Sequence, residues 1–288
     1  MRKRALLTRE RASASVDGWK HGAGMHLVAS QLAELATLGL VAGAVGALTG
    51  IGGGLIIIPV LTLLFGVPIH WAIGTSLCCV IATSSGAAAS YVEHRLSNIR
   101  LGMTLELATT TGAVSGALLA AKLPREVLAI LFAALLIYAG GSMARRSLSA
   151  EVRVPNAEAG YTIRQLPLGL LGSGGAGIVS GLLGVGGGVI KVPIMYLVMG
   201  VPFKVATATS NFMIGVTAAA SAFIYYSRGD VRLLITAPTA IGVYLGASLG
   251  THVMRRAPSR WLIRLFSLIV FYFALMMIWK SLHGGFSR

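Results

Sequence analysis

A glycine-proline string occurs twice in this chain, the second copy 134 residues after the first. Gly50-Ile51-Gly52-Gly53-Gly54-Leu55-Ile56-Ile57-Ile58-Pro59 falls without a gap on Gly184-Val185-Gly186-Gly187-Gly188-Val189-Ile190-Lys191-Val192-Pro193. The register persists downstream. Gly66-Val67-Pro68 falls on Gly200-Val201-Pro202, Thr75-Ser76 on Thr209-Ser210, Tyr91 on Tyr225, Gly112 on Gly246, Gly116 on Gly250, Pro124 on Pro258, Phe132 on Phe266 and Tyr138 on Tyr272. So long and regular a period marks a duplicated unit rather than biased composition. The polar stretch Ser147 to Gln165 separates the copies and reads as a linker.

Each copy is a series of apolar segments. The first runs Leu27–Thr49, Leu55–Phe65, Trp71–Val92, Leu101–Ala121 and Val127–Ala144; the second runs Leu166–Leu183, Val189–Met199, Val205–Tyr226, Leu233–Met254 and Trp261–Leu282. Of 288 residues, 55% are hydrophobic and only 11% charged, against about 25% charged in soluble domains. A soluble fold, a disordered chain and a disulfide scaffold are excluded. At about 20 apolar residues per crossing, the pattern predicts an all-α membrane protein of two homologous repeats, with eight to ten segments and about eight net crossings. The expected division is a basic cytoplasmic tail (1–26), a first repeat (27–146), the linker (147–165) and a second repeat (166–283).

The second segment of each copy is too short to cross alone. Eleven or twelve residues make roughly 17 Å of helix, against a hydrocarbon core of about 30 Å. Each lies between a glycine cluster and a Gly-Val-Pro turn and carries a proline, Pro59 or Pro193, which removes a backbone donor. Broken backbone persists at membrane depth only where protein or water covers it, so the breaks are expected to face inward. Paired short, Gly/Pro-interrupted segments at matching positions point to the midplane site of a secondary transporter.

Net charge is +15, which in a soluble protein would suggest nucleic acid. Here six of the 24 basic residues lie in the first twenty positions, and most others flank apolar runs. Orientation by positive charge explains that distribution without a nucleic-acid partner. If each glycine-interrupted pair makes one net crossing, 16 basic residues fall on the side of the termini and 7 opposite. If both segments cross fully, each half crosses an odd number of times, the repeats invert, and the split is 12 against 11. The rule favours the first count, with both termini cytoplasmic; a hairpin that exits where it entered would change the parity again. No cleaved signal peptide is expected, because Asp17 to Gly24 is polar. The adjacent Cys78 and Cys79 read as small core residues.

No cofactor is implied. The apolar segments hold no His-Glu-x-x-His and no Cys/His cluster, and the triple glycines do not continue into the Gly-Lys-Ser/Thr of a phosphate-binding loop. The chain reads as a transporter or binder rather than an enzyme. A half-helix starting at Gly54 or Gly188 would aim unpaired amides and its positive dipole end into the protein, an anion-binding arrangement. Gly52, Gly53, Gly54, Gly186, Gly187 and Gly188 are therefore candidate substrate residues, although small residues also serve close helix packing. Lys191 stands where the first copy has Ile57. An interior lysine costs roughly 2.5–3.5 kcal/mol unless it snorkels or finds a partner, and an anionic substrate is one such partner. Thr75, Ser76, Thr209, Ser210 and Asn211 offer hydrogen bonds to oxyanion oxygens or to neighbouring helices. Glu34 and Glu106, the acids nearest membrane depth, are expected at the interface because each lies near a segment end.

The doubled Gly-x-Gly-Gly-Gly with proline five residues on, the Gly-Val-Pro turn and the following Thr-Ser segment resemble the TauE/SafE family of sulfite and organosulfonate exporters, from about Leu32 to Leu282. The resemblance implies a multi-pass permease of a prokaryotic cytoplasmic membrane, moving small sulfur-containing anions such as sulfite, thiosulfate or sulfonates. Its partners would be the small anionic substrate and the lipid bilayer, with a homo-oligomer compatible. Two functions stand at this stage: secondary transport by alternating access, and a channel-like anion pore or binding-only membrane protein.

Overall fold

A computed structural model describes residues 29–94, 96–148, 161–254, 271–277 and 279. Regular structure among them is entirely helical. The first series is α1 (Ala29–Thr49), α2 (Gly54–Leu63), α3 (Ile69–Glu93), α4 (Ile99–Ala120) and α5 (Arg125–Leu148). The second is α6 (Leu166–Leu183), α7 (Gly188–Pro193) continued by a π-helical turn over Ile194–Val198, α8 (Phe203–Ser227) and α9 (Leu233–Met254), with 271–277 also helical. These bounds follow the apolar segments closely, and α6 and α9 coincide with them. The tail 1–26, most of the linker 147–165 and most of Trp261–Leu282 lie outside the described residues.

Among the described residues, five helices are long and apolar enough to cross a membrane: Ala29–Thr49, Ile69–Glu93, Leu166–Leu183, Lys204–Ser227 and Leu233–His252. Gly54–Leu63 and Gly188–Val198 are shorter apolar helices. Large apolar side chains face outward on several elements, among them Leu107, Leu171, Leu197 and Phe223, each more than 70% exposed. Exposed apolar surface on this scale needs a nonaqueous neighbour, which a bilayer supplies.

Glycine brings the helices into close contact. On α6, a Cβ at Gly177 would lie well inside van der Waals distance of Thr109 O, and one at Gly181 would meet Ala113 O. On α1, Gly43 stands in the same way against Val243 O of α9. The contacts recur at the spacing of the sequence repeat: Gly112 against Gly174 O and Gly246 against Leu40 O, Gly116 against Ile178 O and Gly250 against Ala44 O. The first helix of each series thus packs along the fourth helix of the other. Such crossings tolerate no added methyl group. Gly177→Ala is expected to lower stability by about 1–3 kcal/mol, read as a lower melting temperature in detergent. Gly175→Ala, two residues away with nothing within 4 Å of its Cβ position, is expected to be neutral or to gain up to ~1 kcal/mol from helix propensity. Equal melting of the two variants would contradict this packing.

Contact order along the helices gives their directions. Glycines 39 and 43 meet residues 239 and 243, so α1 and α9 run parallel, and the pairs 109–177 and 113–181 make α4 and α6 parallel. Thr75 meets Thr236, and Gly86 meets Tyr244, so α3 and α9 are parallel. Gly102 meets Thr209, and Ser221 donates to Ala113 O, so α4 and α8 are parallel. Five residues separate α3 from α4 and α8 from α9, too few for a return along the helix, so the chain reverses at each connection. Hence α1, α3 and α9 point one way and α4, α6 and α8 the other, and corresponding helices of the two series are antiparallel.

The preferred charge count treats α1 with α2 as one net crossing; in the structure α2 doubles back beside α3. Its start at Gly54 lies level with Ser76 of α3, and it ends five residues before α3 begins, so it returns toward the side from which α1 and α3 both start. The left-handed φ of Gly50, Gly52 and Gly53 (74°, 89° and 77°) makes this reversal, and Gly184, Gly186 and Gly187 (71°, 76° and 75°) make its counterpart. A side chain disfavours that conformation, which is why each break is written in glycine.

Candidate functional site

The two breaks meet in the interior. A Cβ on Gly54 would lie 2.8 Å from Gly184 O, and one on Gly188 would collide with Gly50 O. Gly52 and Gly186 both rest against Val80 of α3 and Ile214 of α8, where those two helices cross. Every glycine of both triplets is buried. Ile56 and Ile57 donate their amides to Gly53 O, and Ile190 and Lys191 donate theirs to Gly187 O. The amides of Gly54, Leu55, Gly188 and Val189 have no backbone acceptor among the described residues, as the start of a half-helix requires. Pro59 and Pro193 are both buried inside their short helices. Pro193 leads into the π-helical turn Ile194–Val198.

The Thr-Ser pairs hold the breaks in place. Ser76 Oγ donates to Gly184 O at 2.7 Å, and Ser210 Oγ donates to Gly50 O at 2.9 Å. Each serine therefore ties its own helix to the break of the other series. Asn211 Nδ2 donates to Ala47 O and Thr207 O, and its Oδ1 is buried without a hydrogen-bond partner among the described residues. Thr75 pairs with Thr236 at 3.1 Å, and Thr209 Oγ1 accepts from Asn98 N at 2.9 Å. Thr75 and Thr209 thus sit on helix junctions, apart from the glycine contact.

Lys191 marks where the two series differ. It is 1% exposed on α7, and its Nζ donates to Thr217 Oγ1 of α8 at 2.8 Å. Thr217 Oγ1 in turn lies 2.6 Å from Glu106 Oε1 of α4 and donates to it, while Glu106 Oε2 stands 3.6 Å from Lys191 Nζ. Thr110 Oγ1 also donates to Oε1, at 3.1 Å. The expected interfacial placement of Glu106 is therefore wrong: the residue is 8% exposed and supplies the lysine's counter-charge. A buried lysine needs such a partner, and parallel packing of α4 on α8 brings the carboxylate to it. The aliphatic stem of Lys191 crosses Gly187, beside Ser180 of α6, whose hydroxyl is buried and unpartnered among the described residues. Residues 134 positions away are apolar or small: Ile57 for Lys191, Ala240 for Glu106 and Gly46 for Ser180.

Thr217, Thr110 and Ser180 were missed by sequence reasoning. One signal pointed to Glu106: an interior lysine demands an acid, and few acids lie within apolar segments. Hydroxyl residues in apolar helices are too common to single out.

Apolar spanning helices arranged as antiparallel series around two abutting helix breaks, with an ion pair beside one break, define a polytopic membrane protein with an interrupted-helix centre. Residues 35–277 match the family model described as sulfite exporter TauE/SafE, and the chain belongs to that family. It is 27% identical over 266 residues to the probable membrane transporter protein YunE of Bacillus subtilis, covering 86% of this chain and 97% of that one. A probable membrane transporter protein of Xylella fastidiosa is 30% identical over 265 residues, covering 88% and 97%. Sulfite exporter TauE/SafE family protein 3 of Arabidopsis thaliana is 37% identical over 116 residues, 38% of this chain and 22% of that one. No solved structure matches. Family and relatives point to a membrane transporter rather than an enzyme.

Proposed function

We propose that the protein is a secondary transporter that moves a small sulfur-containing oxyanion, such as sulfite, thiosulfate or an organosulfonate, across a prokaryotic cytoplasmic membrane by alternating access. The observation that carries this reading is the fully buried Lys191 at the first turn after the Gly186–Gly188 break, inside a chain of this family. A positive charge and open amides at the start of a half-helix suit an oxyanion. The antiparallel arrangement of corresponding helices supports alternating access, because a site between inverted repeats can be exposed to either side by rocking one against the other. Ser76 and Ser210 serve in this reading as positioning residues, holding each break against the opposite series.

The test is flux in proteoliposomes made with the purified full chain, using radiolabelled sulfite, thiosulfate, sulfoacetate and taurine. Saturable uptake of at least one anion, accelerated by the same unlabelled anion on the far side, is expected. Flux that rises linearly with concentration and shows no such counterflow would establish a pore instead.

A further inference from the structure

We propose that Glu106 is the proton-binding site that couples anion movement to proton movement, and that Thr217 relays its state to Lys191. The proposal rests on the transport reading above and names its coupling ion. Lys191 in the resting arrangement is already neutralised: its ammonium faces Glu106 Oε2 at 3.6 Å and reaches Glu106 Oε1 through Thr217. An oxyanion arriving at Lys191 would bring a second negative charge beside the carboxylate, in an interior where repulsion is poorly screened. One proton on Glu106 removes that repulsion and releases the lysine to the anion. Each anion carried would thus travel with one proton.

The geometry around Glu106 suits a group that changes state. Its Oε2 is buried without a hydrogen-bond partner among the described residues, and 3.6 Å is an ion-pair separation rather than a hydrogen bond. The anion of a carboxyl accepts hydrogen bonds only, whereas the protonated form also donates. Thr217 has an alternative for its own proton, since Met213 O lies 3.2 Å from its Oγ1. When Glu106 is ionised, Thr217 donates to it and accepts from Lys191. When Glu106 takes a proton from solution, the carboxyl O–H can donate to Thr217 Oγ1, whose hydroxyl turns to Met213 O. Releasing that proton to the opposite side restores the ion pair and expels the anion.

No other ionisable group competes at this position on the described elements. Lys191 faces it from α7, Thr217 from α8 and Thr110 from its own helix. The described residues of α6 carry no ionisable side chain, and the remaining ionisable groups of α4, the π-helical turn and α8 are Arg100, Tyr196, Lys204, Tyr225 and Tyr226. The positions 134 residues away, Ile57 in the first series and Ala240 in the second, cannot hold a charge pair. Coupling therefore resides on one side of the pseudo-symmetric interior.

The experiment uses proteoliposomes of the full chain loaded with a pH-sensitive dye, potassium and valinomycin, with labelled sulfite or thiosulfate outside. The wild type is expected to accumulate the anion at least fivefold when the outside is acidic, with internal acidification that depends on the anion. Glu106→Gln, an uncharged carboxamide of nearly the same shape, is expected to lose that accumulation and acidification, and whatever counterflow it retains is expected not to vary with pH. Glu106→Asp, which retains a protonatable group, is expected to keep proton movement. Anion flux by the wild type without proton movement would overturn this proposal alone, as would unaltered acid-driven accumulation in Glu106→Gln. Absence of flux for every anion tested would overturn the transport reading and this one with it.

Discussion

Replacing Lys191 with Ile is expected to destabilise the protein by about 3–5 kcal/mol, and adding Glu106→Ala to the same chain is expected to recover most of that loss without recovering transport. The single change strands a carboxylate that is 8% exposed and, among the described residues, keeps the hydroxyls of Thr217 and Thr110 as its hydrogen-bond donors. Removing one partner of a buried ion pair carries about that penalty, whereas replacing both with apolar groups is often neutral or stabilising. Ile and Ala are not arbitrary choices, since they occupy the positions matching Lys191 and Glu106 at the repeat spacing, 57 in the first series and 240 in the second. Melting in detergent and labelled-anion counterflow read the two effects separately. A double variant that transports at the wild-type rate would remove the pair from the site; one no more stable than Lys191→Ile would mean that the two charges do not depend on each other.

Segment order was legible because a membrane imposes one length and one chemistry on every crossing, so apolar runs bounded by Gly, Pro and charge were nearly the helices themselves. The breaks were legible for a related reason: glycine triplets and an internal proline cannot make a continuous rod. What the chain does after a break was not. Gly52 and Gly53 permit both a continued crossing and a reversal, and only their left-handed φ, 89° and 77°, selects the reversal. The charge count could not arbitrate. Its preference for 16 against 7 came from pairing α1 with α2 as one crossing; a count in which α2 crosses separately, as its reversed direction allows, gives the nearly even 12 against 11. Where flanking charge is balanced, the positive-inside rule has no leverage.

The site was legible in its cation and not in its anion. Lys191 stands out in any reading because a charge among Ile190, Val192 and Pro193 has no inexpensive explanation. Glu106 is the eighth residue of α4, near enough to the helix start to pass for an interfacial acid. Its depth depends on α4 lying parallel to α8, which no local pattern encodes. For the serines the sequence leaves two partners open, an oxyanion or a neighbouring helix, for Ser76 and Ser210 alike. They bind the carbonyls of Gly184 and Gly50, because a broken helix leaves acceptors that need donors as much as it leaves amides.

That mutual support makes Gly188→Ala the other substitution with a large expected effect. The added methyl would collide with Gly50 O and lie 3.0 Å from Ile51 Cα, both backbone atoms of the opposite break, and neither can yield without moving the reversal it belongs to. Ser210 fixes the same Gly50 carbonyl, so the obstacle is held from both sides. We expect a loss of about 3 kcal/mol, at the upper end for overpacking, with counterflow reduced at least tenfold in whatever protein still folds. Gly54→Ala provides the graded comparison. Its nearest obstacles are Ser76 Oγ at 2.7 Å, the end of a side chain, and Gly184 O at 2.8 Å, so its cost is expected to be smaller and its counterflow partly retained. The order of the two variants is the decisive reading. If Gly188→Ala melts and transports like the wild type while Gly54→Ala does not, the breaks do not abut as described, and an anion site built on their contact has no foundation.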